Sequence, residues 1–187
     1  MSNAMTNRYA SFTGGDQGEW RVLRQKAIAG EPVPSIKRLK VSPEKPDPSA
    51  STWVLEGITS NERYVERKER TLLLAHQQAL GQAAATCAVL IPIRKNAAWW
   101  SMTQDERRAV FEARSRHIEI GLRYASAIAR RLYHCRDLSE HQPFDFLTWF
   151  EFAPGDEAAF DQLLVELRAS EEWQYVERES ELRLIRE

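Results

Sequence analysis

From residue 86 onward the apolar segments follow an order that few folds accommodate: strand, helix, strand, strand, helix, strand. "TCAVLIPIRK" (86–95) is short, apolar and β-branched, which reads as a buried strand, with Pro92 suggesting an edge or a bulge. Thr103 and Glu106 in "TQDE" form a capping box for a helix running to about Tyr124. "AIARRLYHCRDL" and "FDFLTWFEFA" read as strands joined by a polar loop at 138–143. "GDEAAFDQLLVELRASEE" then reads as a helix and "YVERESELRLIR" as a closing strand. This succession is the split βαβ, or ferredoxin-like, unit.

The first half reads as a shortened relative of that unit. "RYASFTGG" and "GEWRVLRQKAIAG" are strands separated by a turn, and "TWVLEGITS" is another. Residues 32–51, rich in Pro, Ser, Lys and Asp, form a loop excursion with a short strand at "IKRLKV". Residues 61–82 read as one helix stopping near Gly81. An antiparallel sheet with helices on one face must bury its other face against a second sheet or around a ligand, which leaves room for a cofactor. The fold class expected is α+β, with ferredoxin-like halves. Residues 1–4 read as an expression tag ahead of Met5, and 5–187 as a single domain divided into 5–85 and 86–187.

A chain of 187 residues supports one domain with a substantial core. Lys and Arg number 26 against 27 Asp and Glu, so no global field points to nucleic acid or an anionic membrane. No apolar run is long enough to cross a bilayer. Cys87 and Cys135 are too far apart for a CxxC site and too few for a disulfide framework, and no apolar leader follows Met5. A cytoplasmic location is expected.

The chemistry concentrates between Ile91 and Tyr124. On a helical period Val110, Ala113, His117, Gly121 and Tyr124 share one stripe, so His117 lies on or beside the buried face. One reading is a core histidine with a satisfied hydrogen bond. Gly121 favours another: it costs about 1 kcal/mol of helix propensity and lets a flat object lie close to the backbone. The chain has no HxxxH or HxxE at metal-ligand spacing, which argues against zinc. A single imidazole beside open space suits haem iron, whose other four nitrogens come from the porphyrin.

The blocks "RYVER" (63–67), "LIPIRKNAAWWSMTQDERRA" (90–109), "RHIEIGLRYASAIARRLYHC" (116–135), "FDFLTWFEF" (144–152) and "LRASEEWQYVERE" (167–179) resemble, in order and spacing, the chlorite dismutase family, specifically its short dimeric branch. The resemblance implies a dimeric α/β barrel: antiparallel sheets forming a barrel-like core with helices outside. It puts the proximal haem ligand, and hence the iron contact, on His117 and its carboxylate partner on Glu172. Without it, Glu172 would read as a solvated helix-end charge. The distal arginine falls on Arg130. Strand alternation puts Arg130 on one face with Leu132 and His134, and Arg131 on the other with Tyr133 and Cys135, so only one can enter a pocket. Lys95, Trp99, Trp100 and Tyr64 align with the block at the haem edge, where a lysine can pair with a propionate. The stripe Phe144, Phe146, Phe150 and Phe152 reads as core or as cavity wall.

The implied activity is haem b-dependent conversion of chlorite to chloride and dioxygen, by way of ferryl haem and a hypochlorite-level fragment held by Arg130. The implied partners are chlorite and a second copy of the chain in a homodimer, with no nucleic acid and no membrane. Alternatives on the same fold are a coproheme decarboxylase, a non-catalytic haem-binding or sensing protein, and a structural homologue whose His117 is only core. An arginine at 130, where the decarboxylases of Gram-positive bacteria typically carry glutamine, favours chlorite chemistry.

Overall fold

The computed structural model describes residues 8–47, 49, 51–59 and 63–187; the tag reading of residues 1–4 lies outside them. Eight strands run in chain order: β1 (Tyr9–Gly15), β2 (Trp20–Ala29), β3 (Arg38–Ser42), β4 (Trp53–Ile58), β5 (Cys87–Lys95), β6 (Ile128–His134), β7 (Phe146–Phe152) and β8 (Val176–Arg186). They close into one barrel in the order β1-β3-β2-β8-β5-β7-β6-β4. Read around the ring, this is β4-β1-β3-β2 followed by β8-β5-β7-β6, the same ferredoxin-like order twice.

The halves differ in their crossovers. β2 starts beside the end of β1, since Gly15 and Arg21 both pair with Arg38. The four residues between them therefore suffice, and no helix is needed. The later half keeps its helices: α4 (His117–Tyr124) lies between β5 and β6, and α5 (Glu157–Arg168) between β7 and β8.

Strand alternation sorts the core into two layers. Ala88 and Leu90 point into the barrel with Phe12, Trp20, Leu39, Trp149 and Leu182. Val89, Ile91 and Ile93 point outward beneath α4 and α5, with Phe150 and Phe160. The interior is thus filled by side chains, and the ligand space expected on that face is found on the helix side instead. β5 is buried on both faces, which accounts for its unbroken apolar run. Pro92 lies on this central strand, bonded between β7 and β8; the bulge falls later, at Arg94/Lys95.

Three helices are shorter than the sequence predicts. The 61–82 helix is realised as α1 (Arg67–His76), opened by Glu69 accepting the Glu66 N–H at 2.7 Å. The helix from Thr103 breaks into α3 (Gln104–Arg108), a π-helical turn (Ala109–Arg114) and α4, with Arg116 left-handed at φ 51° between them. The expected stripe is lost: Ala113 is exposed, while Val110, Ser115 and Ile118 are buried. A further short helix, α2 (Ala97–Ser101), is capped by Asn96, whose side chain accepts from Trp99 N–H. The helix ending in "RASEE" stops at Arg168 and resumes as a 3₁₀ turn, Glu171–Tyr175.

The barrel is thinnest where β4 meets β6, joined at the single register pair Ile58↔His134. There Gly57 lets the strands approach: a Cβ on it would stand 2.6 Å from Tyr133 Cβ. Gly57→Ala must push the two strands apart. The expected loss is roughly 1–3 kcal/mol, the usual penalty of overpacking, read as a lower urea midpoint with an unchanged slope.

Candidate functional site

A cavity of about 550 Å³ lies between the outward face of β5, β6 and β7 and the helices α1, α4 and α5. Its size falls within the roughly 300–1,000 Å³ of small-molecule and cofactor sites. His117, Glu172, Lys95, Trp99, Trp100, Tyr64 and Arg130 all contribute to its lining.

His117 is the first residue of α4, delivered there by the π turn and the left-handed Arg116. Its Nδ1 lies 2.6 Å from Glu172 Oε2. An ionised carboxylate can only accept, so Nδ1 carries a proton and donates to it. Among the described residues Nε2 makes no hydrogen bond. Phe111 stacks on the ring at 4.3 Å and fixes its plane.

Glu172 is buried rather than solvated, with 5% of its surface exposed. Its other oxygen meets Lys95 Nζ at 2.8 Å, and its backbone N–H donates to Ser115 Oγ at 2.9 Å. Burial alone pushes this carboxyl up; His117 and Lys95 together outweigh that and hold it at about 2. Lys95 is itself buried, with Nζ 4.4 Å from the Trp99 ring centroid. It is therefore committed to Glu172, not aimed at a propionate as the resemblance suggested.

Arg130 comes from β6 and faces the cavity with Leu132 and His134, as alternation requires. Its side chain is half-buried along the cavity wall. Desolvation lowers its pKa, partly offset by the charge of Glu172. The guanidinium has no carboxylate partner among the described residues. Its Nη1 lies 3.8 Å from the position of a Cβ on Gly121, so it spans the cavity towards α4. Arg131 is exposed.

The aromatic residues divide. Trp99 is 2% exposed and its Nε1 has no partner among the described residues. Trp100 donates to Asp145 Oδ2 at 3.2 Å, stacks on Phe146 and lies under the guanidinium of Arg136. Tyr64, left-handed at φ 63°, packs on Phe111 and Trp99, and its hydroxyl accepts from Arg107 at 3.4 Å. Phe146 and Phe150 wall the cavity, whereas Phe144 is barrel core and Phe152 packs on Phe160.

Sequence reasoning missed three residues. Ser115 needs the helix break to be known. Glu112 accepts the Ile118 N–H at 2.7 Å and so caps α4. His134 lines the cavity, and its ring nitrogens make no hydrogen bond among the described residues. Burial first, then Arg63, pushes that ring down to about 4, against the pull of Asp137, so it is neutral at pH 7. Strand alternation did place it on the face of Arg130, which was the available signal. No group of three or more His, Cys, Asp or Glu at metal-binding proximity occurs among the described residues.

The fold and site together define an α+β barrel with a carboxylate-held histidine facing a partly open, mostly apolar cavity. The family model described as chlorite dismutase matches residues 47–185, so the chain belongs to that family. The chain is similar to a dimeric chlorite dismutase structure from Nitrobacter winogradskyi: 52% identity, TM-score 0.88, 95% of this chain and 99% of that one covered. A chlorite dismutase of Ideonella dechloratans is 31% identical over 126 residues, covering 66% of this chain but 41% of the relative's length. A chlorite dismutase structure from Candidatus Nitrospira defluvii in complex with imidazole shares the fold at 22% identity and TM-score 0.60, covering 80% of this chain and 56% of that one.

Replacing Glu172 by Gln would leave the Lys95 ammonium buried without its counter-charge. A carboxylate whose folded pKa is near 2 against an ordinary 4.5 contributes stability in full above pH 4.5 and loses it as the pH falls towards 2. Glu172→Gln is therefore expected to cost about 3–5 kcal/mol at neutral pH, with the gap to wild type narrowing over that acid window. Urea titrations at several pH values check both statements.

Proposed function

We propose that this protein is a haem b-dependent chlorite dismutase, converting chlorite to chloride and dioxygen, and that it works as a homodimer. The observation that carries the reading is the buried His117–Glu172–Lys95 chain, ending on an imidazole nitrogen that is free of protein partners. The residues fit a haem. One imidazole is held in the right tautomer, and the walls are apolar. The orphaned indole N–H of Trp99 offers a buried donor to an acidic substituent.

In this reading His117 would hold the iron, and Glu172 accepts a hydrogen bond from its Nδ1–H and raises its basicity. Lys95 keeps Glu172 ionised and in place. Trp99, Trp100 and Tyr64 border the macrocycle. Haem b, when bound, would supply the iron for oxygen-atom chemistry beside these residues. Arg130 attracts chlorite, whose charge it matches, and holds it by charge-assisted hydrogen bonds. It stays cationic throughout, so no general acid is called for. Phe146, Phe150 and Ile128 exclude competing water and strengthen the guanidinium's grip. By holding the oxychlorine species in the pocket, Arg130 would let both oxygens of chlorite leave together as dioxygen. Arginine at position 130 is the specific feature favouring this over a decarboxylase. The dimeric state of the Nitrobacter relative supports the homodimer.

Two variants test the reading. His117→Ala should lose stoichiometric haem binding; a Soret band of wild-type intensity after purification would exclude ligation by this residue. Arg130→Ala should still bind haem yet release less oxygen per chlorite and bleach its haem within fewer turnovers. Wild-type yield and lifetime on an oxygen electrode would remove Arg130 from the mechanism.

A further inference from the structure

We propose that Ser115 is a positioning residue that aims the Glu172 carboxylate at His117. The inference rests on the reading of His117 and Glu172 given above, and it concerns a residue that touches neither iron nor substrate.

Glu172 sits on the short 3₁₀ turn Glu171–Tyr175. Such turns have poorer hydrogen-bond geometry than α-helix, and their first N–H groups need partners from outside. The neighbouring bonds are local: Ser170 N–H to Leu167 O, and Trp173 N–H to Ser170 O. The Glu172 N–H is the exception, because it donates at 2.9 Å to the hydroxyl of Ser115, 57 residues earlier in the chain. Ser115 is 4% exposed, so water cannot replace that oxygen cheaply.

The position of Ser115 gives the bond its consequence. It ends the π turn, two residues before His117, with Arg116 left-handed between them. The Ser115 N–H is held by Val110 O at 3.1 Å and the Arg116 N–H by Glu112 O at 2.9 Å. Glu112 also reaches forward to the Ile118 N–H. Both ends of the Glu172–His117 bond thus belong to one closed circuit: hydroxyl to Glu172 backbone, carboxylate to Nδ1, and chain back to the hydroxyl. Without the hydroxyl, the Glu172 backbone N–H loses its partner, and the residue is held by Lys95, which contacts both its carboxylate and its backbone carbonyl, and by His117. A carboxylate drawn towards Lys95 accepts less from the imidazole, and the imidazole becomes less basic.

The test compares Ser115→Ala with wild type and Glu172→Gln. In the cofactor-free protein the His117 Nδ1 proton should give a downfield NMR signal that exchanges at least about tenfold faster in Ser115→Ala. Loaded with haem b, the ferrous Ser115→Ala protein should show an iron–histidine stretching frequency shifted by at least about a third of the Glu172→Gln shift, in the same direction. Ser115→Thr, which keeps the hydroxyl, should restore both. A Ser115→Ala protein with wild-type proton exchange and an intact circular dichroism spectrum overturns the inference. Faster exchange in Ser115→Ala, together with a wild-type protein that takes up no haem, supports the positioning role and sinks the haem reading instead.

Discussion

A carboxylate buried as deeply as Glu172 dictates much of what surrounds it. It cannot remain ionised in an apolar layer unless donors meet its oxygens and a cation balances its charge. Lys95 provides the cation, His117 a ring N–H, and Ser115 fixes the backbone that carries it. These three partners come from β5, α4 and the end of the π turn, so one side chain links the sheet to the helices packed over it. The irregular backbone nearby follows from the same requirement. A straight helix from Thr103 to Tyr124 would bring residues 115 and 117 to the 3₁₀ turn on different sides. The π turn and the left-handed Arg116 allow both to face Glu172.

The barrel explains why such a layer exists in only one half. Both halves follow the same strand order, but the earlier one has lost its crossover helices because β2 begins where β1 ends. Among the described residues no helix of its own packs over its outward face, and much of β2 is exposed. The later half retains α4 and α5, and α1, although encoded in the earlier half, lies against α4 rather than over its own strands. All three helices are thereby brought to one sheet face. Filling the barrel interior with Phe12, Trp20 and Trp149 leaves the sheet-to-helix layer as the place where a cavity can open.

Much of this was legible in the sequence because period-two alternation is a local signal. The strand succession, the two-layer division of β5 and the face shared by Arg130, Leu132 and His134 all follow from it. What stayed hidden depends on distant partners. "AVFEARSR" is helix-forming throughout, and its π turn is stabilised by packing against residues 170–175. "SEEW" reads as a wet helix end until Lys95 and His117 are known to converge on it. Lys95 matched the right block of the resemblance but in a different role, since a basic residue after a buried strand gives no hint whether it turns outward or inward. Pro92 misled for a related reason: a proline marks an unpaired N–H, and in a closed barrel that gap can occur within a central strand.

Charge accounting within the cavity has a further consequence. Lys95 and Glu172 cancel one another, and His134 is held neutral, so none of them presents a net charge to an occupant. Arg130 does, because its desolvated guanidinium has no carboxylate in contact among the described residues. Enclosing an unpaired cation is costly, and proteins seldom retain one that a glutamine or leucine could replace. Here the cost is offset once an anion arrives. A small anion brought against Arg130 in apolar surroundings is bound far more strongly than at the surface, where water and salt would screen it. The cost of the unpaired guanidinium and its pull on a small anion thus have one origin, a desolvated charge beside apolar walls.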